Sequence, residues 1–200
     1  MQLTLEKGVT SVFEDMFLET DRLFLRPYTM DDLDQLHKVV SQKEVMKYLP
    51  EDVMSLQETK TTLTWIIECY GKNTPQHIVK FSAGVFHKEE NRLIGWCGLG
   101  PLEFQPSEIE IYYGLSQDCW GQGFATEAAK ALLDYGFGVI GLDRIVAIVM
   151  PENIASKRVI EKMGMIYQKQ IKNLPEKHKA FEGDYYYSLT KEEYQSASLP

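Results

Sequence analysis

A chain of 200 residues with 44% apolar side chains is long enough for one domain with a full hydrophobic core. Its formal net charge of −8 repels a phosphate backbone at long range, which argues against nucleic-acid partners and favours a cationic or amine ligand. Cys69, Cys97 and Cys119 offer neither a disulfide framework nor zinc spacing, no apolar run is long enough to cross a bilayer, and Glu6, Glu14 and Asp15 stand where a signal peptide would be basic, so a cytoplasmic protein is expected.

Residues 1–18 show no periodicity and read as an N-terminal appendage, with the domain at 19–193 and a short tail at 194–200. Leu23–Pro27 reads as a strand that ends at its proline. Thr29 with Asp32, Ser41 with Glu44, and Ser55 with Glu58 have capping-box spacing. They predict three helices: one carrying Leu33, Leu36, Val39 and Val40, a short one before Pro50, and a long one that ends at Gly71. Strands are expected from His77 to Phe86, from Arg92 to Leu99 and from Glu108 to Leu115, with a turn at 88–91 and a loop around Pro101 and Pro106. Phe124–Phe137 is helical in pattern, closed by Gly138 and Gly141. The nearly continuous apolar run from Arg144 to Met150 predicts a strand covered on both faces. A helix from Asn153 to Gly164 and strands near Met165–Lys172 and Tyr185–Thr190 complete a mixed α/β (α+β) single domain.

Chemistry concentrates at Trp120-Gly121-Gln122-Gly123-Phe124-Ala125-Thr126, between a strand and a helix. Glycines let a ligand approach the backbone, and a helix N-terminus supplies free N–H groups and partial positive charge, a combination that suits phosphate oxygens. A P-loop is excluded because no lysine follows Gly123. A dinucleotide fold is rejected too: Thr126 stands at the third glycine position, and Asp143 precedes its strand where a ribose-binding acid would follow it.

The stretch Ile109–Leu115 with Trp120–Ala128 resembles the cofactor motif of the GNAT N-acetyltransferase superfamily. More narrowly it resembles the RimJ/RimL-type branch, with Trp120, Gly123 and Ala125 in the places of the Gln/Arg-x-x-Gly-x-Gly/Ala pattern. Asp21–Pro27, Leu93–Leu99, Asn153–Met165 and Asp184–Tyr187 resemble further pieces of that branch in the right order. The resemblance implies a mixed, mostly antiparallel sheet, splayed in the middle and flanked by helices. It implies acetyl-CoA as co-substrate, no metal, and an amine acceptor that is a small molecule or a protein N-terminus. Backbone of Tyr113, Gly114 and Leu115 would meet the pantetheine arm, the loop from Trp120 through Gly121, Gln122, Gly123, Phe124 and Ala125 to Thr126 the pyrophosphate, and Asn153 the far wall.

Acyl transfer to nitrogen needs a proton acceptor for the amine and a donor for the leaving thiolate. Glu110, on the strand that enters the loop, is the candidate base. Alternation sets it on one face with Glu108 and Tyr112, opposite Ile109, Ile111 and Tyr113. The family's acid is a tyrosine seven residues after the asparagine, but that position is Ile160, so Ser156 is the candidate donor. Monomer or homodimer remains open, and a CoA-binding sensor without turnover is the alternative that Ile160 favours. His37, His77, His87 and His178 share no metal spacing.

Overall fold

The computed structural model describes residues 11–49 and 52–197. One eight-stranded mixed sheet runs through the domain. Its strands are β1 (Leu18–Glu19), β2 (Leu23–Pro27), β3 (Phe81–His87), β4 (Arg92–Leu102), β5 (Gln105–Leu115), β6 (Arg144–Val149), β7 (Ile166–Gln170) and β8 (Tyr185–Thr190). They lie in the order β1-β2-β3-β4-β5-β6-β8-β7, and every neighbouring pair is antiparallel except β5 and β6. The helices are α1 (Leu33–Val40), α2 (Lys43–Met46), α3 (Leu56–Tyr70), α4 (Phe124–Tyr135), α5 (Ile154–Lys162) and α6 (Lys191–Ala197).

Local chemistry sets most of these boundaries. Ser55 and Glu58 form the expected reciprocal cap, the Glu58 amide donating to Ser55 Oγ at 3.3 Å and the Ser55 amide to Glu58 Oε2 at 2.8 Å. Thr29 and Asp32 do the same at a single 3-10 turn ahead of α1, and Arg26 holds Asp32 at 2.7 Å. Ser41 caps nothing; the N-cap of α2 is Gln42, whose side chain instead reaches Ser116 and the Gln117 amide, each at 2.9 Å. The expected loop around Pro101 and Pro106 is strand. β4 continues to Leu102 and β5 starts at Gln105, with Pro101 opposite Ile109 beside a register shift that tolerates the missing N–H. The strand expected from His77 starts only at Phe81, because residues 77–80 are drawn into a turn in which Asn73 Oδ1 accepts from the Val79 amide at 2.8 Å.

Within the segment set apart at 1–18, Phe13 and Met16 are buried in the main core, Phe13 edge-on to Phe81 at 5.1 Å. The domain body therefore begins before residue 19. The boundary drawn at 194 likewise cuts α6, whose Tyr194 packs on Phe137 at 5.1 Å between centroids. Residues 1–10 and 198–200 lie outside the described residues.

One face of the sheet carries Leu23, Leu25, Ala83, Val85, Cys97, Leu99 and Ile111, all buried. α4 and the π-turn after it pack there, Gly136 fitting against Ile145, Leu142 and Leu99. On the other face Tyr112 lies flat across Gly98 and donates to the Phe81 carbonyl at 3.0 Å. A Cβ at Gly98 would stand 2.4 Å from that ring and 2.5 Å from the carbonyl oxygen. Gly98→Ala is therefore expected to destabilise by about 2–3 kcal/mol and to lower Tm by roughly 4–12 °C in a thermal melt. An unchanged Tm would mean that Tyr112 is free to lift from the sheet.

Candidate active site

β5 and β6 are paired at a single point, Glu110 opposite Val146. Beyond it the strands diverge, so Ile111–Leu115 pair only with β4 while β6 turns away toward β8. The opening runs directly into the glycine loop. There Gly121 (φ +73°) and Gly123 (φ +85°) take left-handed conformations, and Gly123 is the N-cap of α4. The first bond of that helix is from the Glu127 amide to the Gly123 carbonyl at 3.0 Å, so the amides of Phe124, Ala125 and Thr126 have no acceptor within the helix. A side-chain cap is absent at Gly123, which leaves these donors for an anion.

The loop is held from several sides. Trp120 Nε1 donates to the Leu115 carbonyl at 2.8 Å and closes the strand end onto the turn. Gln122 Nε2 donates to the Asp118 carbonyl at 2.9 Å, and Asp118 is held by Arg92 at 2.7 Å. Arg22 does most of the tethering. It donates to the Gln122 carbonyl at 2.9 Å, pairs with Glu127 at 2.6 Å and stacks over the Phe124 ring at 4.3 Å. Glu127 also accepts from Thr20 Oγ1 at 2.6 Å. Burial opposes its charge, but Thr20 and Arg22 outweigh that and hold its carboxyl below the usual range. The acid in the first turn is thereby neutralised locally and does not repel an incoming phosphate. Arg22, Glu127 and Gln42 escaped the sequence reading as loop anchors. Their partners lie 74 to 107 residues away, and nothing in the local pattern signals them.

On the far side of the opening Asn153 caps α5, its Oδ1 accepting from the Ser156 amide at 3.1 Å. Its Nδ2 has no acceptor among the described residues. Tyr113 reaches across from β5, its hydroxyl 2.9 Å from Ser156 Oγ and 3.1 Å from the Ser156 carbonyl. Three of the residues singled out from sequence thus form one cluster, in which burial pushes the Tyr113 phenol up and keeps it protonated. Ile160 is sealed in the core at 1% exposure and contributes no polar group. Asn153→Ala removes both the cap and the free donor. It is expected to weaken CoA binding about tenfold in a calorimetric titration, the worth of one good hydrogen bond. A fall in Tm with unchanged affinity would reduce Asn153 to a helix cap.

Glu110 lies on the opposite face of β5 from Tyr113, at the point where the strands part, and does not touch Ser156. It is partly buried, with Lys80 alongside and Nζ of that lysine 3.8 Å from the centroid of the Tyr112 ring. Burial pushes its carboxyl up to about 7. Lys80 and the Ile148 amide pull it down, Asp184 and Glu103 push it further up, and the net effect is a carboxyl that titrates near neutrality. Tyr186 and Tyr187 are buried packing groups. Cys119 is buried at 4% exposure, and burial raises its thiol pKa, which leaves it a poor nucleophile.

A splayed mixed sheet, a glycine turn at a helix N-terminus beside the opening, and a raised carboxyl at its apex form one candidate site. The acetyltransferase (GNAT) domain family matches residues 22–166, and the chain belongs to that family, whose members carry out acetyl-CoA-dependent N-acetylation. It is 32% identical over 179 residues to the uncharacterised N-acetyltransferase YnaD of Bacillus subtilis, covering 90% of this chain and 99% of that one. A GNAT-family acetyltransferase structure from Bacillus anthracis superposes with a TM-score of 0.73 at 30% identity, over 88% of this chain and 99% of its own. A Vibrio cholerae spermidine N-acetyltransferase in complex with CoA and spermine shares the fold, with a TM-score of 0.69 at 20% identity over 88% and 99% of the two chains. No helix among the described residues is long and apolar enough to cross a membrane.

Proposed function

We propose that the chain transfers the acetyl group of acetyl-CoA directly to a primary amine, as a cytoplasmic monomer or homodimer of the RimJ/RimL-type branch. The observation that carries this reading is the parting of β5 and β6 beside the Gly121–Thr126 turn, with Glu110 at its apex. In this reading the amides of Gly121 through Thr126 receive the pyrophosphate. The backbone of Tyr113, Gly114 and Leu115 together with Asn153 Nδ2 lines the pantetheine arm. The nitrogen lone pair attacks the thioester carbonyl carbon, so a C–N bond forms as the C–S bond breaks. Glu110 takes the proton that nitrogen loses and later yields it to solvent, while Ser156 passes a proton to the departing sulfur and regains one from solvent by way of the Tyr113 hydroxyl, so protons balance. Holding both reactants in one cleft supplies much of the rate. No residue forms a covalent intermediate, and no metal takes part.

Steady-state release of CoA thiol, measured with polyamines, amino acids, aminoglycosides and peptides with free N-termini, tests this. Thiol release that depends on one class of amine is expected. CoA binding without amine-dependent release would make the chain a CoA-responsive binding module.

A further inference from the structure

On the face of the sheet that carries Glu110, β4 presents bare backbone. Ser82 pairs with Gly98 and Gly98 with Tyr112, while Gly100 pairs with Glu110. Phe81 pairs with Leu99, so the same antiparallel register, carried one residue back, sets Lys80 beside Gly100. Lys80, Gly100 and Glu110 thus form one row across the sheet, on one side of it. Gly100 has no side chain to fill its place in that row, and Lys80 lies across the gap. A Cβ at Gly100 would stand 3.4 Å from Lys80 Cδ and 3.6 Å from Tyr112 Cε1. The half-buried aliphatic stem therefore crosses β4 in the direction of Glu110.

Both ends of this lysine are fixed. Asn73 is 4% exposed; its Oδ1 accepts from the Lys80 amide at 3.2 Å, and its Nδ2 donates to the Lys80 carbonyl at 2.8 Å. At the other end Nζ stands 3.8 Å from the centroid of the Tyr112 ring, a cation–π contact, and the Tyr112 hydroxyl is anchored to the Phe81 carbonyl. Tyr112 follows Glu110 by two residues on the same face of β5, which brings the ammonium within Coulombic reach of the Glu110 carboxyl. A lysine that only kept a strand end solvated would need neither clamp.

The other groups around Glu110 do not duplicate this charge. Glu103, in the turn between β4 and β5, and Asp184, just ahead of β8, add negative charge. Glu108 shares the face and is answered by Arg144 at 3.7 Å. His178 faces Glu103 at 3.3 Å, and Lys169 of β7 lies over the Tyr186 ring at 5.2 Å. The Ile148 amide of β6 favours the carboxylate as Lys80 does, but more weakly, and burial opposes both.

We propose that Lys80 is the positioning residue of the proton acceptor: laid over Gly100 and clasped by Tyr112, its ammonium holds the Glu110 side chain at the apex of the opening in the charged form that can take a proton. The assignment deepens the acetyl-transfer reading and rests on Glu110 as the acceptor.

The test follows the Glu110 carboxyl carbon by NMR titration of the ligand-free protein, its resonance identified by its loss in Glu110→Gln. Lys80→Met keeps the stem and removes the charge. It is expected to raise the midpoint from about 7 by about one pH unit, and Lys80→Arg should keep it near the wild-type value. The pH dependence of kcat/KM, taken with the amine of the panel above that gives the fastest thiol release, should move by the same amount. Lys80→Met then loses roughly tenfold at pH 6 and approaches wild type at pH 9, with CoA affinity unchanged. A Glu110 midpoint that stays in place in Lys80→Met, or a loss of activity equal at every pH, would overturn the assignment while leaving acetyl transfer standing. A kinetic limb that survives Glu110→Gln, or absence of thiol release with every amine, overturns the acceptor reading instead. In that case a midpoint that rises in Lys80→Met still supports the hold of Lys80 on Glu110, and one that does not overturns it.

Discussion

Glu110→Gln is expected to lower turnover on the order of a hundredfold with CoA affinity nearly unchanged. The substitution keeps the shape of the side chain at the apex of the opening and removes its capacity to accept a proton. Because burial holds the Glu110 carboxyl up to about 7, the carboxylate required for proton abstraction is the minority form below neutrality. The wild-type kcat/KM should therefore rise through about pH 7, well above the ordinary glutamate value of about 4.3. In Glu110→Gln that limb should vanish. The same shift has a consequence for stability. A carboxyl whose folded pKa is raised favours folding fully below its unfolded value, and that contribution is lost as pH rises through about 7. Thermal melts at pH 8 should accordingly find Glu110→Gln at least as stable as wild type. A variant that turns over at the wild-type rate with its own amine would remove Glu110 from the proton path.

Gly123→Val is expected to weaken CoA binding on the order of a hundredfold, about 2.7 kcal/mol. Gly123 has φ +85°, and a β-branched residue there costs about 1–2 kcal/mol or more in backbone strain alone. The nearest group to an added Cβ is Arg22 Nη2 at 3.5 Å, which is ordinary contact. The protein side of the turn thus has room for a first carbon. The loss falls on the turn's conformation and on the space in front of the Phe124, Ala125 and Thr126 amides. Calorimetric titration, with circular dichroism to confirm the fold, reads the effect. Wild-type affinity in a folded Gly123→Val protein would move the phosphate site away from this loop.

Features whose causes are local were legible in the sequence. The strand Leu23–Pro27 and the helix ending at Gly71 follow from proline, a capping box and apolar spacing, and the structure has them; the helix carrying Leu33, Leu36, Val39 and Val40 is present too, but Thr29 caps a 3-10 turn ahead of it and Asp32 is its N-cap. The apolar run after Asp143 is the interior strand that its composition required. Where the reading failed, the deciding contact was distant. Pro101 and Pro106 suggested a loop, but register against the neighbouring strand and a bulge carried pairing through them. Phe13 has no periodic companions, and only the sheet brings Phe81 beneath it. Ser41 had the right spacing to cap α2, yet Gln42 was recruited because it also fastens Ser116 and Gln117.

The candidate site divides the same way. The glycine turn was readable because two left-handed glycines and a helix start are written in consecutive residues. The opening beside it was not, since it lies between strands far apart in sequence, where β5 stays paired with β4 and β6 with β8 beyond their single shared pair. The structure adds that Tyr113 Oη meets Ser156 Oγ at 2.9 Å and that Glu110 stands on the other face of β5, so the two groups proposed as donor and acceptor lie on opposite sides of the strand. The position of Ile160 in the core explains how the family's tyrosine can be absent without leaving a void.

Direct transfer is tested by following a labelled acetyl group from acetyl-CoA in a single turnover, with enzyme in excess and an accepted amine present. The label should appear in the amine as an amide, in step with free thiol, and never on the protein. Label retained on the chain before it reaches the amine, or released as acetate while the amine stays unmodified, would contradict the account.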